Sequence, residues 1–185
     1  MARWEGNTRS RLERAALDLF TEQGYDRTTI AQIAKRANLT ERSFYRWFTD
    51  KREALFGGSE ELEQRLLAEI ETVPEGTGAL DTLMAALAAG PDVFRPKDFL
   101  RERAAVIAAN PPLQERELVK LASLGEALTD ALQKRGHQAQ TARLAVDAAM
   151  AIARHAGERW TQDDGADYND ILIQSRAELQ TVLTT

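Results

Sequence analysis

Between positions 41 and 51 the chain gathers Glu41, Arg42, Ser43, Tyr45, Arg46, Trp47 and Lys51, inside the stretch TTIAQIAKRANLTERSFYRWFTDKREALF (residues 28–56). Two guanidinium forks, two hydroxyls, an indole and an ammonium within eleven positions suit a polyanion whose edges can be read. An arginine bonds bidentately to the major-groove edge of guanine, while hydroxyl and ammonium donors bond phosphate oxygens and set register without reading sequence. Arg42, Ser43 and Arg46 are therefore expected to face bases, and Thr29, Tyr45 and Lys51 to grip phosphates. Glu41 and Trp47 share the same exposed face. Such groups act together only if short, rigid elements present them.

Those elements are legible. Thr29 with Gln32 three residues on forms a capping-box pattern, so a helix should begin at Thr29. Ile30, Ile33, Ala34 and Ala37 then line one face at helical spacing. Asn38 stands where the chain must turn sharply, and asparagine tolerates the left-handed conformation better than bulkier residues. Leu39 can plug the angle, Thr40 can cap the next helix, and Phe44 and Phe48 form its buried edge. Tyr45 and Trp47 cannot both be buried in so short a helix, so at least one is exposed. Asp50 and Glu53 repeat the capping logic and predict a long helix through residue 71. The predicted product is a helix-turn-helix with a phosphate clamp at Lys51, a placement at a helix N-terminus that the helix dipole disfavours.

With these residues quoted, residues 9–56 resemble the DNA-binding domain of the tetracycline-repressor (TetR) family of bacterial transcriptional regulators, most specifically in FYRWF-x-x-K. The departures are Asn38 at the usual glycine and one extra residue between Lys51 and Leu55. The resemblance implies an all-α chain with an N-terminal three-helix reader (residues 1–56) and a C-terminal helical ligand-binding and dimerisation domain (residues 57–185). It also implies a homodimer on a palindromic double-stranded operator, joined through the last two long helices.

Composition agrees. Of 185 residues 43% are hydrophobic, enough for a core, and none is cysteine, which removes disulfides and thiolate chemistry. The longest apolar runs (residues 104–109 and 148–153) fall far below a membrane span, and the charged N-terminus shows no secretory apolar segment, so a cytoplasmic protein without membrane partners is expected. The net charge of −5 is polarised: residues 1–56 carry 11 Lys/Arg against 8 Asp/Glu, and the remainder carries 13 against 21. The basic surplus sits on the reader. It is small, so few phosphates are met per chain and binding should depend on dimerisation.

The rest reads as helix. Glycines and prolines divide it into segments at 9–22, 80–89, 97–109, 113–135, 139–160 and 167–183, with a break over 73–79. The alanine-rich segment 139–160 and the stripe Tyr168, Ile171, Leu172, Ser175, Leu179, Val182, Leu183 offer a second copy a close-packing surface, or else cover their own core. Middle helices supply candidates for an effector pocket: Met84, Leu87, Phe99, Arg103, Ile107, Leu121, Leu124 and His155, with Arg103 as anionic anchor for a hydrophobic or acyl-bearing small molecule. Each of these is equally a core or solvated residue by pattern alone.

Other chemistries fail on spacing. His137 and His155 are 18 apart without a zincin glutamate. From Asp163, the sixth and twelfth positions are Tyr168 and Gln174, against the Gly and Glu of a calcium loop. Neither metal nor cofactor is expected. No nucleophile–base set marks a helical enzyme, and an effector-independent DNA-binding regulator is the closer alternative.

Overall fold

The computed structural model describes residues 8–184. The charged first seven residues, part of the N-terminal reading above, lie outside them. The helices are α1 (Thr8–Gln23), α2 (Ile30–Arg36), α3 (Glu41–Tyr45), α4 (Ser59–Thr72), α5 (Ala79–Ala88), α6 (Lys97–Ala108), α7 (Pro111–Lys134), α8 (Ala139–Gln162) and α9 (Tyr168–Thr184), with 3-10 turns at Glu53–Leu55 and Gly90–Val93. No strand occurs among the described residues, so the all-α class holds. Among them, too, no helix is long and apolar enough to cross a membrane.

Two compact units form: residues up to Ser59 with Arg95–Val119, and Glu60–Phe94 with the residues from Lys120 onward. The sequence division at 56/57 follows chain order, whereas packing returns α6 and the first turns of α7 to the N-terminal helices. The cause is apolar burial. Phe99, Val106, Ile107 and Leu113 join Leu12, Leu17, Phe20, Ile33, Phe44 and Phe56 in one core, and each such side chain is worth about 1.5–3 kcal/mol when removed from water.

In the second unit α5, α8 and α9 pack closely around Leu83, Leu87, Val146, Ile152 and Leu172. The buried face of α8 carries Ala142, Ala145, Ala149 and Ala156, and small side chains let its neighbours approach. Phe94, Trp160 and Tyr168 form a mutual cluster with centroids 5.0–5.8 Å apart. Burial pushes the Tyr168 phenol up to about 12.

The predicted continuous helix over residues 50–71 does not form. Asp50 does cap, accepting from the backbone N–H of Arg52 at 2.7 Å and of Glu53 at 3.3 Å. Only a 3-10 turn follows, because Gly57 and Gly58 interrupt the helix and α4 begins at Ser59. Gly57 is required by space: a Cβ there would lie 2.1 Å from Oε1 of Glu13.

Candidate nucleic-acid interface

The reader is built as its capping signals predict. The Thr29 hydroxyl accepts from Gln32 N, and Gln32 Oε1 accepts from Thr29 N at 2.8 Å, closing the capping box of α2. Asn38 is the one described non-glycine residue with positive φ, at 54°. Its N–H reaches Lys35 O, while Leu39 N–H reaches Ala34 O at 2.8 Å, so the turn is internally bonded. A guanidinium N–H of Arg11 from α1 donates to the Ala37 carbonyl at the end of α2. Thr40 caps α3 through Ser43 N. The half-buried Ser43 places its hydroxyl 3.0 Å from that of Thr40.

Phe44 and Phe48 are buried with ring centroids 5.3 Å apart, anchoring the reading segment on the first core. The opposite face is open. Glu41, Arg42 and Arg46 are exposed, as are Tyr45 (57%) and Trp47 (43%). The α-helix itself stops at Tyr45. Arg46 and Trp47 continue one turn further, where Trp47 N–H and Phe48 N–H both bond Phe44 O at 2.9 and 3.0 Å. Seven positions thus carry two guanidiniums and two aromatic rings to solvent over a locked base, an arrangement able to enter a groove and bond base edges.

Lys51 departs from its predicted setting. It opens no helix, and its ammonium turns inward: Nζ donates to Tyr25 O at 2.7 Å and Thr28 O at 3.0 Å, and lies 4.1 Å from the centroid of the Tyr25 ring. Partial burial lowers its pKa, against a raising influence from Asp26. Thr29 likewise spends its hydroxyl on the cap. Of the three expected phosphate donors, Tyr45 stands well exposed, its hydroxyl outside the hydrogen bonds formed among the described residues.

The pocket candidates do not gather within one unit. Phe99 and Ile107 are core residues of the first unit. Arg103, offered as a ligand anchor, instead donates from Nε to Leu55 O at 2.6 Å, pairs with Glu117 at 3.2 Å and covers the Phe56 ring. Burial pulls its pKa down while Glu117 opposes the fall. Met84 and Leu87 are buried and Leu124 is half-buried in the second core, whereas Leu121 is 43% exposed. His155 is exposed, with Nε2 3.1 Å from Glu178. An open, polar depression of about 710 Å³ lies elsewhere, in the first unit, with Arg11, Arg14, Arg36, Asp18 and Asp98 on its walls. Its arginines are engaged: Arg14 with Asp18 and Glu102, and Arg36 with Glu22.

Sequence reasoning missed the charged core of the first unit. Glu13 is 1% exposed, pairs with Arg9 at 3.2 Å, and pairs with Arg95 at 3.0 Å. The signal was present, since Glu13 precedes Ala16, Leu17 and Phe20 at helical spacing on an apolar face. Nearby, Arg116 of α7 pairs with Glu53 at 2.5 Å, so two arginines, Arg103 and Arg116, hold the 3-10 turn that follows the reading segment.

The stripe proposed on α9 also divides. Tyr168, Ile171, Leu172 and Ser175 are buried in their own unit, while Val182 and Leu183 are exposed. Further open apolar positions on the last two helices are Leu144 (72%) and Ile173 (65%), and Ala151 and Ala177 are exposed as well.

Comparison with known proteins extends these findings. Residues 13–56 match the family described as bacterial regulatory proteins, tetR family, and residues 78–184 match the family described as MftR C-terminal domain. The HTH-type transcriptional regulator TcmR of Streptomyces glaucescens is 37% identical over 82 residues, which span 44% of this chain and 36% of that protein. The fold is shared with a transcriptional regulator of the TerR/AcrR family from Aquifex aeolicus (TM-score 0.58, 18% identity, 95% of this chain and 99% of that one). It is shared also with Thermus thermophilus FadR, a TetR-family repressor in complex with lauroyl-CoA (TM-score 0.52, 24% identity, 90% of each chain).

Proposed function

This chain belongs to the tetR family of bacterial regulatory proteins, and from that premise we propose that it is a cytoplasmic homodimeric repressor, released from a palindromic operator by a small-molecule effector. The observation that carries the reading is the solvent-facing row Glu41, Arg42, Tyr45, Arg46 and Trp47 over the buried Phe44 and Phe48. Arg42 and Arg46 read base edges, with Ser43 beside them; each good bidentate pair contributes about 1–3 kcal/mol of discrimination. Tyr45 grips phosphate. Residues 1–56 carry recognition, and residues 57–185 carry dimerisation and effector response.

A second copy supplies the symmetry that an operator needs, placing two reading helices about 34–36 Å apart on successive grooves. The open positions Leu144, Ala151, Ile173 and Ala177 on α8 and α9 suit a self-complementary four-helix contact. Leu172 and Leu179 serve the monomer's own core instead, so the informative substitutions are Leu144→Glu and Ile173→Glu.

The effector is a hydrophobic, acyl-bearing molecule, a reading supported by the apolar Met84, Leu87 and Leu124 and by the lauroyl-CoA held by the Thermus relative. Release works by shifting α7, whose Arg116 and Glu117 hold the turn Glu53–Leu55 directly and through Arg103. A regulator without an effector is the alternative, favoured by the internal engagement of Arg103. Selection of duplexes by the purified chain, followed by titration with acyl-CoAs of graded length, separates these. Release of DNA by one chain-length class supports the proposal, no release by any supports the alternative, and absence of any selected duplex removes both.

A further inference from the structure

Residue 51 follows the reading segment, and residues 25–28 precede it. Lys51 joins the two. Its Nζ bonds Tyr25 O and Thr28 O, with Asp26 O at 3.5 Å, and rests on the Tyr25 ring. An ammonium has three protons and no acceptor, so two short carbonyl bonds and an aromatic face consume most of what it can offer. The loop it holds needs holding. Its carbonyls at Tyr25, Asp26 and Thr28 converge on one point, and the Thr28 side chain is buried with its hydroxyl donating to Gly24 O at 2.9 Å.

The bracketed segment is weak by itself. α2 has seven residues and α3 five, both below the length at which helices persist in water. Their relative placement depends on the Phe44–Phe48 anchor and on closure of the two ends. A cation that closes them sets where Thr29 and Tyr45 stand.

We propose that Lys51 is a positioning residue for DNA binding, which clamps the loop before α2 to the end of the reading segment and makes no phosphate contact of its own. This rests on the DNA-binding reading above. What the site requires is donors aimed at carbonyl oxygens, and charge is secondary.

The test uses the full-length wild-type chain, Lys51→Met and Lys51→Gln on a duplex selected by the wild type, with anisotropy titrations across a potassium chloride series. Lys51→Met keeps the stem and loses the donors; Lys51→Gln restores two donors without charge. The expected result is an affinity loss on the order of tenfold or more in Lys51→Met, a smaller loss in Lys51→Gln, and an unchanged slope of log affinity against log salt in both. Amide exchange over residues 25–32 should quicken in Lys51→Met. A slope flattened by about 1.8 per dimer, as two lost phosphate contacts give, would overturn the inference, as would equal losses in the two variants. If Lys51→Met does not fold, the slope of Lys51→Gln decides alone. Failure of the wild type to bind any duplex would strike the DNA-binding reading itself, a separate outcome.

Discussion

The two units solve the same packing problem with different chemistry. In the first, charge is taken inside: the Glu13 side chain is 2% exposed between Arg9 and Arg95, and Glu53 is 14% exposed against Arg116. In the second, the core is apolar and the ion pairs lie further out, from Arg65–Glu69 at 33% and 28% exposure to Arg154–Glu158 at 74% and 60%. Buried pairs are poor sources of net stability but specify geometry, since any rearrangement strands a charge. The unit that must present side chains to a duplex is the one held by directional contacts. The second unit is held by non-directional burial, which tolerates sliding and repacking.

That contrast breaks most visibly at Glu13. Glu13→Ala withdraws the carboxylate from between two guanidiniums and should destabilise the chain by about 3–5 kcal/mol, read as a lower urea midpoint. A change below about 1 kcal/mol would mean that the pair is no more consequential than a surface one.

The second unit's apolar core shows itself in alkali. Tyr168 has its phenol raised from 10.0 to about 12 by burial. Below pH 10 folded and unfolded forms are both protonated and the shift contributes nothing. Between pH 10 and 12 the unfolded chain loses the proton that the folded chain keeps, so stability falls by about 2–3 kcal/mol. Thermal unfolding of the wild type and Tyr168→Phe, compared from pH 9 to 12, should diverge in favour of Phe, whose advantage grows with pH. A pH-independent difference would contradict the burial.

The smallest effect belongs to the wet pairs. Arg154→Ala should change stability by less than about 1 kcal/mol, and a larger loss in unfolding experiments would show that this face is covered, as a dimer would cover it.

Helix boundaries were legible wherever a local signal ends a helix. The Thr29–Gln32 box, the left-handed Asn38 and the break over 73–79 appear where capping and turn chemistry place them. What escaped depended on partners distant in sequence. Asp50 caps as expected, but the long helix predicted from it is cut to a 3-10 turn by Gly57 and Gly58, with Gly57 passing close beside Glu13. The sequence predicts a phosphate contact for Lys51 because nothing in its own segment shows the Tyr25 and Thr28 carbonyls 23–26 residues earlier. Arg103 is predicted at a ligand for the same reason, whereas it meets the Leu55 carbonyl, Glu117 and the Phe56 ring. Periodicity on α9 marked an apolar stripe correctly. It could not say whether the stripe meets its own core or a second copy, since either buries the same face; Leu172 meets its own core, and Ile173, off the stripe by about 100°, faces out.

The central claim is that the open face of residues 41–47 reads DNA. The most direct measurement is a duplex selection run in parallel on the wild type and on Arg42→Ala/Arg46→Ala, two exposed positions whose truncation leaves Phe44 and Phe48 in place. The wild type should enrich a palindrome with fixed guanines in each half-site, and the double variant should bind more weakly and lose that guanine preference. Enrichment of the same palindrome, with the same preference, by both proteins would contradict the account.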